Sequence, residues 1–325
     1  MPQWDMPPAE LEAYRSDFRE PDDFDEFWAR TMAEARSHPL DLATQPVDAA
    51  LPLLDIDDVT FSGFGGHRIR AWFLRPRGAT GLPVVVGFQG YGGGRGLSHE
   101  WTMLPCAGYA HLVVDTRGQG SGHRVGATAD PIGSGPHVAG FLTSGIRSRE
   151  QVYHRRVLTD AARAVEAAAA LPGIDPSRIV TSGASQGGAM SLAASVLSAD
   201  LPNPPVAAFI DVPFLQDIGR AIRIVSTGPT REIAAYLRAH IDAEAEVART
   251  LGYLDGLAFA ARARIPASYS VGLMDDVCPP STVYASFNRY AGPKHIDVYP
   301  FAGHEGGGAH QHARQLRYLR EMLPD

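Results

Sequence analysis

The fold of this chain is constrained most strongly by a serine flanked by small residues. This serine lies where a short apolar segment is followed by a helix-like one. Residues 183–187 read Gly-Ala-Ser-Gln-Gly, so Ser185 is the centre of a G-x-S-x-G sequence. Residues 179–182 are typical of a strand and residues 188–194 of a helix of small side chains. A strand, a tight turn and a helix form a nucleophile elbow, in which a strained serine exposes its hydroxyl above a sheet. We therefore predict that Ser185 is a nucleophile; the alternative is a structural glycine-rich turn.

Short apolar segments alternate with helix-like segments along most of the chain. Those typical of strands buried on both faces are residues 83–88, 110–114, 178–181, 206–210, 267–271 and 295–299. The clearest helices are residues 153–171 and 309–322. This alternation predicts an α/β fold with a doubly wound, mostly parallel sheet. Residues 59–74 alternate in polarity around a glycine-rich turn, which predicts an N-terminal β-hairpin as an antiparallel edge.

The organisation of the chain indicates a single domain over residues 1–325, because no internal repeat or low-complexity linker divides it. Apolar positions within residues 9–36 predict two short helices broken at Pro21, in an N-terminal helical extension of residues 1–40. Between about residues 212 and 266 the alternation pauses. Apolar residues from Ile233 to Leu251 fall at helical spacing, which predicts a helical insertion over the carboxyl edge of the sheet. This insertion either caps the active site or only packs on it.

Charge and composition exclude several classes of partner. The net charge is −7 and no long basic run occurs, so we expect neither a nucleic-acid nor a membrane partner. The first residues lack the pattern of a secretory leader, and no run of about eighteen apolar residues occurs. The two cysteines, Cys106 and Cys278, form no disulfide framework and have no neighbours at metal-ligand spacing. We expect a soluble, non-secreted protein in a reducing compartment, in which Cys278 is a small buried thiol.

A nucleophilic serine needs a general base, and that base needs an acid to orient it. On folds with this elbow the acid and then the histidine follow the serine. His304 lies in a glycine-rich loop between the last apolar segment and the last helix, where such a base belongs. Asp275 and Asp276 both follow the strand at residues 267–271, and we predict Asp275 as the acid. The other candidates are His240, His295, His310 and His312. His240 lies in the helical insertion, where a surface or core histidine is the ordinary explanation, and His310 and His312 begin the terminal helix.

Ester or amide chemistry also needs donors for the oxyanion that forms on the attacked carbonyl. One should be the backbone N–H of Gln186, the residue after the nucleophile. The second should come from the glycine-rich loop at residues 88–96, and Tyr91 N–H is the predicted donor. The same loop could be interpreted as a phosphate cradle, but it lacks G-K-[ST] and the spacing of a dinucleotide fingerprint.

Two further polar residues follow buried strands. Arg117 begins a loop at the end of the segment 110–114, and we predict that it ties neighbouring loops together, in preference to binding substrate. Asp211 ends the segment 206–210, and we predict that it caps the turn before Pro213.

Three ordered motifs resemble the signatures of carbohydrate esterase family 7, the acetyl xylan esterases and cephalosporin C deacetylases. They are Arg117-Gly118-Gln119-Gly120, the segment 183–187, and His304-Glu305. Supporting similarities lie at residues 90–96, 211–215 and 272–282, and the resemblance extends from residue 24 to the terminal helix. Several motifs in the right order are far more specific than the pentapeptide alone.

The resemblance implies an α/β-hydrolase fold with Ser185 as nucleophile, Asp275 as acid and His304 as base. It implies the amides of Tyr91 and Gln186 as the oxyanion hole. It also implies an intracellular, metal-free homo-oligomer, a hexamer built from dimers. A loop after the Arg-Gly-Gln-Gly motif, here about residues 122–146, would shape the subunit interface and the entrance, although Ala139 stands where the family has a proline.

These observations together predict a serine esterase that acts on a small-molecule acetyl ester. The expected substrates are acetylated sugars such as xylooligosaccharides, and the acetoxymethyl group of cephalosporin C. An alternative is a carboxylesterase or peptidase of broader acyl specificity on the same fold. A catalytically silent scaffold would have lost one of the three catalytic residues, and none is missing.

Overall fold

A nine-stranded sheet forms the centre of the computed structural model, which describes residues 3–133 and 139–323. In chain order the strands are β1 (Ala43–Pro46), β2 (Leu54–Ser62), β3 (Arg68–Pro76), β4 (Leu82–Phe88), β5 (Ala110–Val114), β6 (Ile174–Ala184), β7 (Ala207–Asp211), β8 (Ala267–Gly272) and β9 (Lys294–Tyr299). Their order across the sheet is β1-β2-β3-β5-β4-β6-β7-β8-β9. The pairs from β1 to β5 are antiparallel, and all pairs beyond β5 are parallel. The predicted mostly parallel sheet with an antiparallel N-terminal hairpin is therefore confirmed.

Helices cover both faces of the sheet. They are α1 (Pro8–Ala13), α2 (Phe24–Arg36), α3 (Met103–Cys106), α4 (Tyr153–Ala170), α5 (Gln186–Leu197), α6 (Ile218–Ile224), α7 (Thr230–Ala239), α8 (Glu244–Gly252), α9 (Gly256–Arg262), α10 (Pro280–Arg289) and α11 (Gly308–Met322). Successive side chains of a strand point to opposite faces. On β4, Val84 and Val86 join the large core that includes α4 and α5, whereas Val85 packs with Leu319 of α11. The sheet is thus doubly wound.

The antiparallel edge differs from the prediction. The outermost strand is β1, which pairs with β2, so the hairpin of β2 and β3 is one strand in from the edge. All four residues of β1 are exposed. A strand without a buried face has no alternation of polarity, and for that reason the sequence pattern did not reveal it.

The region around residues 212–266 is helical, as predicted, and it consists of four short helices, α6 to α9. The periodicity from Ile233 to Leu251 is interrupted between α7 and α8, where Ile241 is 79% exposed. Ile233 and Val247 are buried on the two sides of this break. Each half therefore buries its own apolar face, and Ile241 is not part of either.

The N-terminal helix α2 lies against the last helix of this region. Phe24 packs edge-on against Phe259 of α9, with ring centroids 5.2 Å apart. The indole N–H of Trp28 donates to the carbonyl of Tyr253 at 3.0 Å. The chain is not helical at Pro21, which lies between α1 and α2.

The loop at about residues 122–146 was predicted to shape a subunit interface. Of this loop, residues 134–138 lie outside the described residues.

Candidate active site

Ser185 lies in the turn between the end of β6 and the start of α5. Its backbone has φ 59° and ψ −122°, a conformation that side-chain-bearing residues rarely adopt. Its N–H donates to the carbonyl of Asp211 on the neighbouring strand at 2.9 Å. A Cβ atom on Gly183 would overlap the backbone of Gly187, and one on Gly187 would overlap the carbonyl of Phe88. The two glycines are therefore required for the close crossing of strand and helix that holds this strained serine.

Asp275 and His304 come together at the carboxyl edge of the sheet. Asp275 is completely buried, and its Oδ2 lies 2.8 Å from Nδ1 of His304. Its Oδ1 accepts hydrogen bonds from the N–H groups of Val277 at 2.8 Å and Cys278 at 2.9 Å. A carboxylate fixed in this way orients the imidazole and leaves Nε2 of His304 free to exchange a proton.

Ser185 and His304 both line one cavity of about 700 Å³. No hydrogen bond joins their side chains, although both residues belong to the described part of the chain; the Ser185 hydroxyl instead contacts the thiol of Cys278. Hydrogen bonds between a nucleophile and its base are often long in unliganded sites and shorten when substrate binds. Burial raises the pKa of the Cys278 thiol, so this cysteine stays protonated and unreactive.

The alternative acid and three of the four other histidines do not line this cavity. Asp276 follows Asp275, and its backbone carbonyl accepts a hydrogen bond from the hydroxyl of Thr227 at 2.8 Å. His240 ends α7, His295 lies beside Asp297, and His310 is exposed on α11. His312 lines the same cavity as Ser185.

Gln186 directly follows Ser185, and Tyr91 lines the same cavity as Ser185. Gln186 is the first residue of α5, and an N–H at that position has no partner within its own helix. Among the described residues, neither Tyr91 N–H nor Gln186 N–H donates a hydrogen bond. An oxyanion hole requires two such unoccupied donors close to the nucleophilic serine.

A buried network of amide side chains connects these two positions. Gln119 Oε1 accepts from the N–H of Gly92 at 2.7 Å, and its Nε2 donates to Gln186 Oε1 at 2.8 Å. Nε2 of His154 lies 3.2 Å from the same oxygen of Gln186. Burial lowers the pKa of His154 to about 4, so its ring is neutral near pH 7. Gln119 thus ties the loop after β4 to the start of α5. Sequence reasoning missed His154, which lies inside the regular pattern of α4 and belongs to no motif.

Arg117 is completely buried and does not line the cavity. It binds Asp160 of α4 in a bidentate manner, Nε to Oδ2 at 2.5 Å and Nη2 to Oδ1 at 2.7 Å. Nη2 also donates to the carbonyl of Phe64, in the turn between β2 and β3. The guanidinium therefore joins three separate segments under the site. Gly118 and Gly120, on either side of Gln119, have φ values of 68° and 114°.

The prediction for Asp211 is wrong. Its carboxylate does not cap the turn before Pro213 but accepts from the amides of Gln311 at 3.0 Å and Gln315 at 2.6 Å. Both glutamines belong to α11, so Asp211 holds the C-terminal helix against the sheet. Burial raises the pKa of Asp211 to about 6.

Comparison with known proteins decides the family. The model of the acetyl xylan esterase family (AXE1) matches residues 1–322. The chain belongs to the acetyl xylan esterase family. Members of this family are carboxylic ester hydrolases, and solved α/β hydrolases outside it share the fold alone.

Two solved acetyl xylan esterases resemble this family member over 98% of its length and 100% of theirs. The enzyme of Paenibacillus sp. R4 is 34% identical with a TM-score of 0.90. The enzyme of Thermoanaerobacterium sp. JW/SL YS485 is 31% identical with a TM-score of 0.88. An acetyl esterase of Xylanibacter ruminicola is 26% identical over 289 residues, 88% of this chain. The chain spans 64% of the length of that relative.

Within residues 3–133 and 139–323, no helix is long and apolar enough to cross a membrane. The described residues also contain no group of three or more His, Cys, Asp or Glu side chains that could hold a metal ion.

Proposed function

We propose that this protein is a serine esterase that removes acetyl groups from small acetylated sugars such as xylooligosaccharides, and from the acetoxymethyl group of cephalosporin C. The observation that carries the proposal is the fixed Asp275–His304 pair, which lies on the same cavity as the strained Ser185. Membership of the acetyl xylan esterase family supports the acetyl group as the acyl part.

The proposed mechanism has two half-reactions. Ser185 Oγ attacks the acetyl carbonyl carbon while Nε2 of His304 takes the hydroxyl proton, and the carbonyl oxygen becomes an oxyanion. The N–H groups of Tyr91 and Gln186 donate to this oxyanion. When the tetrahedral intermediate collapses, the C–O bond to the alcohol breaks and His304 gives its proton to the leaving oxygen.

The second half-reaction uses water as the nucleophile. His304 takes a proton from water, the hydroxide oxygen adds to the acetyl carbon of the acetyl-enzyme, and the same two N–H groups hold the new oxyanion. Collapse breaks the bond to Ser185 Oγ, which receives the proton from His304, and acetate leaves. Asp275 carries no proton in either step and stabilises the transient imidazolium.

One alternative remains on the same fold, a carboxylesterase or peptidase of broader acyl specificity. The size of the cavity supports this broader acyl specificity, because 700 Å³ greatly exceeds the volume of an acetyl group. Its lining continues from Ser185 along one face of the sheet to Val85, Leu104 and Leu319. An apolar extension of this kind can accommodate longer acyl chains or a large alcohol.

Acetate release across a substrate panel tests the proposal. The panel contains acetylated xylobiose, glucose pentaacetate, cephalosporin C, and p-nitrophenyl esters of acetate, butyrate and octanoate, with a peptide amide added. We expect a clear preference for acetate over longer acyl groups and activity on the acetylated sugars. Equal kcat/KM for butyrate or octanoate esters, or cleavage of the amide, would favour the broader enzyme and overturn the deacetylase proposal.

Assembly and location are further parts of the proposal, and the resemblance to the family supports them. We propose a homo-oligomer, with a hexamer as the specific form, and a cytoplasmic location. Light scattering coupled to gel filtration measures the mass directly, and a monomer of 34.9 kDa at micromolar concentration would contradict the assembly.

A further inference from the structure

We propose that Glu232, on α7 of the helical insertion, is a positioning residue for the oxyanion hole, which acts by holding the side chain of Tyr91. This inference rests on the proposed function, in which Tyr91 N–H receives the oxyanion. Glu232 belongs to no motif of the sequence, and it lies 141 residues from Tyr91 along the chain.

Four hydrogen bonds meet at the phenol of Tyr91 and the carboxylate of Glu232. Tyr91 OH donates to Glu232 Oε2 at 2.7 Å and accepts from the N–H of Phe141 at 2.8 Å. The N–H of Leu142 reaches both Tyr91 OH and Glu232 Oε2, each at 3.2 Å. Three segments that are distant in sequence therefore converge on one hydroxyl: the loop after β4, the segment 141–142, and α7.

The ring of Tyr91 is also confined by aromatic neighbours. It meets Phe141 edge-on with centroids 5.4 Å apart, and it lies parallel to His154 with centroids 6.3 Å apart. Burial and the neighbouring Glu232 raise the pKa of the Tyr91 phenol, which stays protonated and donates. A hydrogen bond from a hydroxyl to a carboxylate is stronger than one between neutral groups. The Glu232 contact is therefore the strongest of those that fix the ring.

Glu232 is itself held in place, because the insertion is anchored on both sides of the site. Ile233, the next residue, is 1% exposed in the main core. Before α7, Thr227 donates to the carbonyl of Asp276, next to the proposed acid. Farther along α7, the hydroxyl of Tyr236 accepts from Arg147 at 2.9 Å. The insertion thus contacts both the acid loop and the segment that surrounds Tyr91.

A displaced Tyr91 N–H would weaken binding of the oxyanion, which exists only after attack has begun. Loss of an interaction made only in the transition state lowers kcat and leaves KM nearly unchanged. A misplacement of about 1 Å at a catalytic group can cost up to about a hundredfold in rate. The kinetic signature of the proposal is therefore a fall in kcat at constant KM.

The experiment measures kcat and KM for p-nitrophenyl acetate with Glu232→Ala, Glu232→Gln and Tyr91→Phe, and with the double variant of Glu232→Ala and Tyr91→Phe. We expect Glu232→Ala to lower kcat about tenfold to a hundredfold with KM changed less than about twofold. Glu232→Gln should recover part of this loss, because its amide oxygen still accepts from the phenol. The double variant should be no slower than the slower single variant, since both remove the same hydrogen bond.

Glu244→Ala is the matched control, because Glu244 is an exposed glutamate at the start of α8 in the same insertion. Its kcat should equal that of the unmodified protein. Titration of active serines with a phosphonate gives the fraction of competent enzyme, so that a loss of folded protein is not counted as a loss of kcat. An unchanged kcat per active site in Glu232→Ala overturns the positioning role. Undiminished hydrolysis by Ser185→Ala would instead overturn the proposed function itself.

Discussion

His304 Nδ1 lies 2.8 Å from Asp275 Oδ2, although the two residues are 29 positions apart in the chain. The carboxylate is completely buried, and its other oxygen is occupied by the N–H groups of Val277 and Cys278. The remaining oxygen, Oδ2, therefore makes its hydrogen bond with the imidazole. A hydrogen bond donated to Asp275 Oδ2 requires the proton on Nδ1, and this tautomer leaves Nε2 as the nitrogen that can accept a proton.

Asp275→Asn should lower kcat for p-nitrophenyl acetate by about 10³- to 10⁴-fold, because an amide favours the wrong tautomer of the histidine. Asp276→Asn is the matched control, since the neighbouring carboxylate does not contact His304 and only its backbone carbonyl is used. Steady-state kinetics of both variants check this. A large loss in Asp276→Asn and a small one in Asp275→Asn would reverse the assignment.

Ser185→Ala should reduce ester hydrolysis by at least about 10³-fold, because no acetyl-enzyme can form. The variant should fold normally, since alanine fills no more space than serine and the required glycines remain. Circular dichroism and the thermal midpoint measure the folding. Rapid-quench mass spectrometry should find an adduct of about 42 Da, an acetyl group in place of the hydroxyl proton, on the unmodified protein and none on the variant.

Arg117→Met should destabilise the protein by about 3–5 kcal/mol, because it leaves the carboxylate of Asp160 buried without its partner. Urea unfolding measures the change. In the double variant with Asp160→Asn the uncompensated charge is gone, so part of the stability should return. If the double variant is as unstable as the sum of the two single variants, the ion pair is not the cause of the loss.

Asp211 should make stability depend on pH. Its folded pKa is raised to about 6 from 3.8, so the native state favours the protonated carboxyl. The stabilisation of the native state by the protonated Asp211 carboxyl is fully present below about pH 4. It is lost as the pH rises through 6, which lowers the free energy of unfolding by roughly 3 kcal/mol. Asp211→Asn lacks this titration. The unfolding free energy of the variant minus that of the unmodified protein should therefore rise between pH 4 and 7 and then level off; a constant difference would contradict the raised pKa.

Local patterns were sufficient for the elements that bury one continuous apolar segment. Strands β4 to β9 and the elbow at Ser185 could be located because each carries its own signal within about ten residues. Where the pattern was absent or continued across a break, the sequence did not reveal the element or its ends. Strand β1 is exposed on every residue, and the helical spacing around Ile241 continues through a point where the chain is not α-helical.

The sequence by itself determined the order of Ser185, Asp275 and His304, the glycine-rich elbow and the family signatures, because these are properties of short segments and of their order. Only the tertiary structure decided which side chains meet. The pairs Arg117–Asp160, Gln119–Gln186 and Tyr91–Glu232 are 43, 67 and 141 residues apart. Such contacts depend on which strands become neighbours and how helices pack across them, and no local periodicity contains that information.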